Sequence, residues 1–521
     1  LSDLPSASDA NPSRIQPTDT GSSRRLFRGW SANVAQILLG VTQQILLVPI
    51  FLKFWSSDTL AAWLAIFAAG NLIILADVGL QLRAINRFFA FGSSSDRDGR
   101  TGSFYAGLLG VYFPTIAGWS VLLVLGAILL PPSRVLGFSA TDGFDVAMIG
   151  MMLGMLLSLP VSLVAGLYRV RGEYGRMVWL QNASLLLGQI AQILAIAIFG
   201  SLVAVATAYV ASQLLLMGFL IFHDAPRLFV FLRRVPSRKS WRWRAGQFRL
   251  AFPFAIANIT ELTLLNLPVL LVSALVVDRV AVVQWGLTRV IAGLVRGFCI
   301  MMLLPVVAEL GHSYAISDKE RLRRFYAQGS VFVTALASLI VAGLLPFWSD
   351  FFTLWTHGSI PYDAPLVLTL LLGSVASAPS LLALVYASHS NRGHLLVRTK
   401  GLQLVVFLVL SFVLIPRLGP LGAAIAIVAS DVLVQFGLLG AVIMRQTLQH
   451  PLRHTVFIAA VMSTFVLTGW ALGTTISALV PGSGLQHFVA ECVLWMIAVG
   501  LLASPLLSTK FRERLLGFVP A

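Results

Sequence analysis

The chain is poor in charge and nearly devoid of cysteine. Asp, Glu, Lys and Arg make up only 11% of its 521 residues, against about a quarter in soluble domains, which excludes an ordinary water-facing globular surface. Its two cysteines, Cys299 and Cys492, both fall inside apolar stretches, which argues against a structural disulfide. Acidic residues are scarce, 21 against 37 Lys and Arg. There is no Gly-x-x-x-x-Gly-Lys, so no nucleotide-driven pump is encoded. The eight histidines sit in loops and at segment ends without metal-ligand spacing. No cofactor, metal site or catalytic constellation is expected, and the chain is not expected to be an enzyme.

What is abundant is apolar: 57% of residues are hydrophobic and the mean hydropathy is +0.86. Long apolar segments cover 32–55, 59–80, 104–130, 144–168, 177–199, 201–222, 250–277, 280–307, 325–348, 362–386, 401–416, 419–443, 455–480 and 486–507. At 1.5 Å per residue nearly all can cross about 30 Å of hydrocarbon as helices, which satisfy their own backbone hydrogen bonds in lipid. The shortest, 401–416, ends at Pro416. Prolines at 49, 114, 160, 253, 268, 305 and 379 mark expected kinks. The expected fold class is an all-α integral membrane protein of about fourteen transmembrane helices.

Basic residues fall in alternate gaps. One set holds Arg24, Arg25 and Arg28; Arg83, Arg87, Arg97 and Arg100; Arg169, Arg171 and Arg176; the basic stretch from Arg227 to Arg249; Lys319, Arg321, Arg323 and Arg324; Arg392, Arg398 and Lys400; Arg445 and Arg453; and Lys510, Arg512 and Arg514. The other set holds only Lys53, Arg134, Arg279 and Arg417. Short loops rich in Lys and Arg stay cytoplasmic, so an even number of spans with both termini cytoplasmic is expected. The longest outer gap, near Trp348 to Tyr362, is too short for an external domain. The net charge of +16 follows from this asymmetry and from anionic headgroups beside the basic loops. Membrane lipids are therefore expected partners and nucleic acid is not, since no basic stretch forms a separate domain. Residues 1–23 are polar and expected to be disordered. No leader pattern precedes the first span, which is expected to be retained.

The spans repeat. Asn33-Val-Ala-Gln-Ile-Leu-Leu opens the first and Asn258-Ile-Thr-Glu-Leu-Thr-Leu-Leu the seventh. Phe104-Tyr-Ala-Gly matches Phe325-Tyr-Ala-Gln-Gly, Tyr168 matches Tyr386, and Phe199-Gly-Ser-Leu matches Leu418-Gly-Pro-Leu, all at an offset of about 220 residues. Six spans is even, so the two copies share orientation. The expected organisation is a disordered tail over 1–29, bundles over 30–222 and 250–443, a basic linker over 223–249, and two accessory helices with a tail over 444–521. Two parallel bundles about an axis along the membrane normal place a transporter's substrate site between the halves.

Asn33 in a leading amphipathic span, Pro49 near its end, Trp63, and Asp77-Val-Gly-Leu80 with Asn86 resemble the Wzx-type oligosaccharide-lipid flippases. These belong to the superfamily that also holds multidrug and toxin extruders and peptidoglycan-precursor flippases. The chain departs from a Tyr-Gly pair common before the tryptophan, having Ala61-Ala62-Trp63. The resemblance implies export of a polyprenyl-pyrophosphate-linked oligosaccharide, such as an O-antigen or exopolysaccharide repeat unit. It would move from the cytoplasmic to the periplasmic leaflet of a bacterial inner membrane by alternating access, alongside glycan polymerase and export machinery. The alternatives are a multidrug-type cation exporter of the same superfamily and a membrane glycan polymerase or ligase. The last typically carries a large periplasmic loop, for which there is no room.

Arg289 and Arg296 lie inside the eighth span, seven residues apart, hence on one helix face and roughly 10 Å apart along the axis. Intramembrane arginine is costly unless it faces a partner or a water-filled cavity. Either the pair binds the substrate pyrophosphate through charge-assisted hydrogen bonds, or each neutralises a carboxylate such as Glu261 or Asp431. Arg83 and Arg87, four apart beyond the second span, would capture pyrophosphate at the cytoplasmic mouth of the same cavity or simply anchor the positive-inside topology. Asp77, Glu261 and Asp431 are candidate ion-coupling carboxylates, or counter-charges to nearby arginines. Glu309 and Glu491 carry no role. Trp348, Trp355 and Tyr362 would form an interfacial belt, or else stack on sugars.

Overall fold

The computed structural model describes residues 19–91, 99–229, 232, 239–315, 319–389, 393–480, 482 and 484–507. Most of the expected disordered tail, part of the basic linker, Arg97, Arg392 and the C-terminal Lys510, Arg512 and Arg514 lie outside them, as does the Glu309 side chain. Among the described residues every regular element is helical, and fourteen helices are long and apolar enough to cross a membrane: Ser31–Phe54, Ser57–Asp77, Arg100–Leu129, Phe144–Arg169, Tyr174–Phe199, Leu202–Leu228, Ala255–Leu275, Arg279–Leu303, Lys319–Leu344, Ala364–Ala387, His394–Leu418, Pro420–Thr447, Pro451–Leu479 and Leu485–Ala503. They are numbered here as spans 1 to 14. Large apolar side chains stay exposed along them, among them Leu129, Ile198, Leu433, Val456 and Leu501, as expected where lipid rather than water is the outer solvent.

Loops after odd-numbered spans meet on one face. Trp55 Nε1 donates to the Gly200 carbonyl at 2.6 Å, Arg279 Nη1 to Leu136 at 3.1 Å, and Trp355 Nε1 to Ile45 at 2.7 Å. On the opposite, even face, Arg83 Nε donates to Gln247 Oε1 at 2.9 Å and Tyr174 OH to Asn33 Oδ1 at 3.0 Å. The packing pairs also recur. Spans 1 and 5, 5 and 6, 4 and 6, and 2 and 4 pack together, and so do spans 7 and 11, 11 and 12, 10 and 12, and 8 and 10. Span 2 packs against spans 7 and 8, joining the two sets. Spans 13 and 14 stand to one side, span 13 lying along span 9; Trp495 Nε1 donates to Gly469 at 3.1 Å.

Several helices are broken where their chemistry requires it. Span 2 tightens to a 3₁₀ turn over Ile73–Asp77. It then reverses through Val78 (φ 46°) and Gly79 (φ 77°) before a new helix, Leu80–Phe91, begins. The span expected over 59–80 is therefore found as Ser57–Asp77, with its last expected residues in this break. Left-handed backbone is unfavourable for β-branched Val78. At Gly79 it coincides with close approach to span 7, where a Cβ would lie 2.8 Å from both the Ala251 carbonyl and the Ala255 nitrogen. Span 4 breaks at Pro160 as expected, between helices Phe144–Leu157 and Pro160–Val170. Span 12 becomes π-helical over Asp431–Gly440, an irregularity common at functional sites.

Span 11 departs most from expectation. Its helix is Gly393–Leu418 rather than 401–416, so Lys400 is not a cytoplasmic loop residue. It lies within the span and is 1% exposed. Trp348 and Trp355 are also buried, at 3% and 6% exposure, in a cluster with Phe351 and Phe352. The interfacial-belt assignment fails for both, because the short helix Trp348–Trp355 packs them into the protein, Trp355 against span 1 and Trp348 against Phe351 and Trp355.

Candidate functional site

The intramembrane charges gather where spans 7, 8, 11 and 12 meet. Arg296 reaches two carboxylates, Glu261 Oε2 at 2.9 Å and Asp431 Oδ2 at 3.2 Å. Lys400 pairs with the other oxygen of Glu261. Its Nζ also donates to Gln403 Oε1 at 2.8 Å and to Gln435 Oε1, using all three ammonium protons. Gln403 passes its own amide to Asp431 Oδ1 at 2.5 Å, and Gln435 to Ser380 Oγ at 2.7 Å. Two cations and two carboxylates thus form one neutral network with its hydrogen-bonding groups engaged. Such a cluster is tolerated in a low-dielectric interior only when so completed.

A cavity of about 300 Å³ opens beside this network, lined by Glu261, Arg296, Asp431, Trp285, Arg289 and Ser374 among others. Gly293 and Gly297 of span 8 line it with open space where a Cβ would sit, while Gly373 of span 10 lets Val428 of span 12 pack close. Arg289, two turns from Arg296, stands at the other end. Its Nη1 donates to the Leu265 carbonyl, its Nε has no acceptor, and among the described residues no carboxylate pairs with it. Trp285, one turn away and fully buried, also has an unpartnered Nε1. The wall at that end holds two buried donors without acceptors and one positive charge with no carboxylate partner among the described residues. An anion or an oxygen-rich group is what such a surface binds.

The remaining candidates lie elsewhere. Asp77 is buried, accepting from Tyr112 OH and from the Gln81 backbone at 3.1 Å, so it braces the break in span 2. Arg83 bonds Gln247 of the helix leading into span 7. Burial, and then the neighbouring Arg87, pull its pKa below the usual arginine value, though it stays charged. Arg87 lies over the Phe91 ring at 5.8 Å. Neither arginine nor Asp77 lines the cavity, whose walls come from spans 7, 8, 10 and 12. Span 2 instead packs directly on span 8, where Gly286 lies so close to Leu64 that a Cβ would fall 2.6 Å away.

Sequence reasoning missed Lys400, Gln403 and Gln435. The available signal was the length of the eleventh segment, since sixteen residues rise about 24 Å and fall short of the hydrocarbon thickness. It also missed the cluster in which Asp224 accepts from Arg176 at 2.6 Å and from Tyr168 OH at 2.6 Å. Glu491, given no role, is fully buried, with His487 Nε2 3.3 Å away.

No known family profile matches the chain, and no curated protein matches its sequence. Solved structures do. A lipid II flippase, MurJ, in an inward closed conformation aligns with a TM-score of 0.70 at 11% identity, over 92% of this chain and 99% of that one. An inward-facing multidrug resistance MATE family transporter of the MOP superfamily aligns with a TM-score of 0.60 at 16% identity, over 81% and 96%. At these identities the likeness is one of fold: the chain has the architecture that MurJ and the MATE transporter share.

Proposed function

We propose that this protein is a flippase that moves a polyprenyl-pyrophosphate-linked oligosaccharide from the cytoplasmic to the periplasmic leaflet of a bacterial inner membrane. The carrying observation is Arg289, a cation with no carboxylate partner among the described residues, lining an intramembrane cavity in a fold shared with a lipid II flippase. A pyrophosphate leaving the headgroup layer needs such a donor. The two six-helix halves, 30–222 and 250–443, alternate access, with both termini cytoplasmic and residues 444–521 as an accessory pair beside them. Arg289 holds the pyrophosphate. Arg296 supports it from within the neutral network, Arg83 and Arg87 act at the cytoplasmic mouth, and Asp77, Glu261 and Asp431 are the candidate coupling groups. O-antigen or exopolysaccharide repeat units are the substrate class, with a glycan polymerase downstream.

A cation exporter of the same fold is the alternative. It is disfavoured because the cavity's two carboxylates, Glu261 and Asp431, are already matched by Arg296 and Lys400. A membrane glycan polymerase is less favoured still, since both structural relatives are transporters. The test is leaflet-resolved measurement of lipid-linked oligosaccharide in cells lacking the gene. Accumulation in the cytoplasmic leaflet, reversed by the wild-type gene but not by an equally abundant Arg289→Ala protein, supports the proposal. Unchanged leaflet distribution on deletion refutes it.

A further inference from the structure

Of the four basic residues on the odd face, Lys53, Arg134 and Arg417 are exposed, as befits residues that only meet solvent. Arg279 is not. Its Nη1 donates to the Leu136 carbonyl at 3.1 Å and to the Ser273 carbonyl at 2.8 Å, and its guanidinium lies over the Phe138 ring at 4.8 Å. Gly137 leaves space for the head group, since a Cβ there would fall 2.0 Å from Arg279 Nη2.

Both acceptors are helix ends. Leu136 is the last residue of the short helix Pro132–Leu136 between spans 3 and 4. Ser273 lies in the last turn of helix Trp241–Leu275, which includes span 7. The last carbonyls of a helix lack intrahelical partners and carry the negative end of its dipole. Arg279 therefore bridges two converging negative ends, one from each six-span set, which would otherwise repel. Trp355 also ties the two sets together on this face, donating to Ile45 of span 1, and it is neutral.

We propose that Arg279 is the latch that holds the odd face shut, and that the cavity opens to that face only when its bonds to Leu136 and Ser273 part. This rests on alternating access as the mode of transport, but not on the identity of the substrate. The planar fork explains why arginine stands here: a lysine could not hold two carbonyls and stack on a ring in the same way.

The test uses full-length protein with Cys299 and Cys492 replaced by alanine and Ser374→Cys as a reporter in the cavity wall. A membrane-impermeant maleimide is applied to the odd face of sealed, oriented vesicles. Arg279→Ala is expected to raise the labelling rate from that face about tenfold, and Arg279→Lys by less. Arg134→Ala, an exposed neighbour, should leave it unchanged. Phe138→Leu, which keeps both carbonyl bonds but removes the ring, should raise labelling modestly and covers the case in which Arg279→Ala fails to fold. Labelling of folded Arg279→Ala at the parental rate overturns the latch; so does a parental rate for Phe138→Leu where Arg279→Ala cannot be obtained. Labelling needs no glycan, so a failed flippase assay leaves the result readable.

Discussion

Replacing Glu261 with glutamine should destabilise this protein more than replacing the lysine it pairs with. Lys400 is 1% exposed, and among the described residues Glu261 is its only carboxylate partner. In Glu261→Gln the ammonium keeps only neutral amide oxygens, those of Gln403 and Gln435 and at most that of the substituted side chain, and Arg296 keeps Asp431 as its carboxylate. Breaking a buried pair by removing one partner costs about 3–5 kcal/mol, and the full range applies because the stranded cation has almost no access to water. Lys400→Met is milder: Glu261 faces the cavity, its side chain 36% exposed, and retains Arg296 at 2.9 Å. About 1–3 kcal/mol is expected for the unsatisfied amide oxygens left behind. The double variant Glu261→Gln, Lys400→Met removes both charges and leaves Arg296 balanced by Asp431, so much of the loss should be recovered. Equilibrium unfolding of the purified protein in detergent, analysed as a double-mutant cycle, reads the coupling directly. Additive single effects, or a Lys400→Met loss exceeding that of Glu261→Gln, would refute the account of the network.

Arg289→Ala should abolish leaflet transfer at normal protein abundance, and Arg289→Lys should keep a fraction of it because the charge survives while the bidentate fork is lost; full transfer by Arg289→Ala would remove the binding role. Arg296→Ala should instead lower the yield of folded protein by uncovering Glu261 and Asp431, and adding Asp431→Asn should restore part of it; a normal melting temperature for the single variant would contradict this. Gly79→Ala should cost roughly 1–3 kcal/mol from left-handed backbone strain alone, with added loss from collision with Ala251 and Ala255, so parental stability would contradict the close approach. Reporter fusions after Lys53, near Thr356 and after Gly482 should all signal the periplasm, and a cytoplasmic signal at any of them would redraw the topology.

The spans were legible because lipid imposes one coarse rule, about twenty apolar residues per crossing, and this chain obeys it fourteen times. The rule failed where a charge lies inside an apolar run. Lys400 looked like a loop lysine because hydropathy assigns a cost to an ammonium without knowing that Glu261, Gln403 and Gln435 receive it. Trp348 and Trp355 looked interfacial because position along the chain cannot show which way a short helix turns. The break after Asp77 was visible only as an Asp-Val-Gly string; what fixes it is Tyr112, 35 residues away. The two arginines of span 8 show the limit most clearly. Their spacing put them on one face and left two roles open, cavity cation or partner of a carboxylate. Residues on spans 7, 11 and 12 divide those roles, giving Arg296 the carboxylates and leaving Arg289 without one. A single helix cannot encode that division, because it depends on which neighbours arrive, and it is the reason our proposal places substrate binding on Arg289 and structural integrity on Arg296.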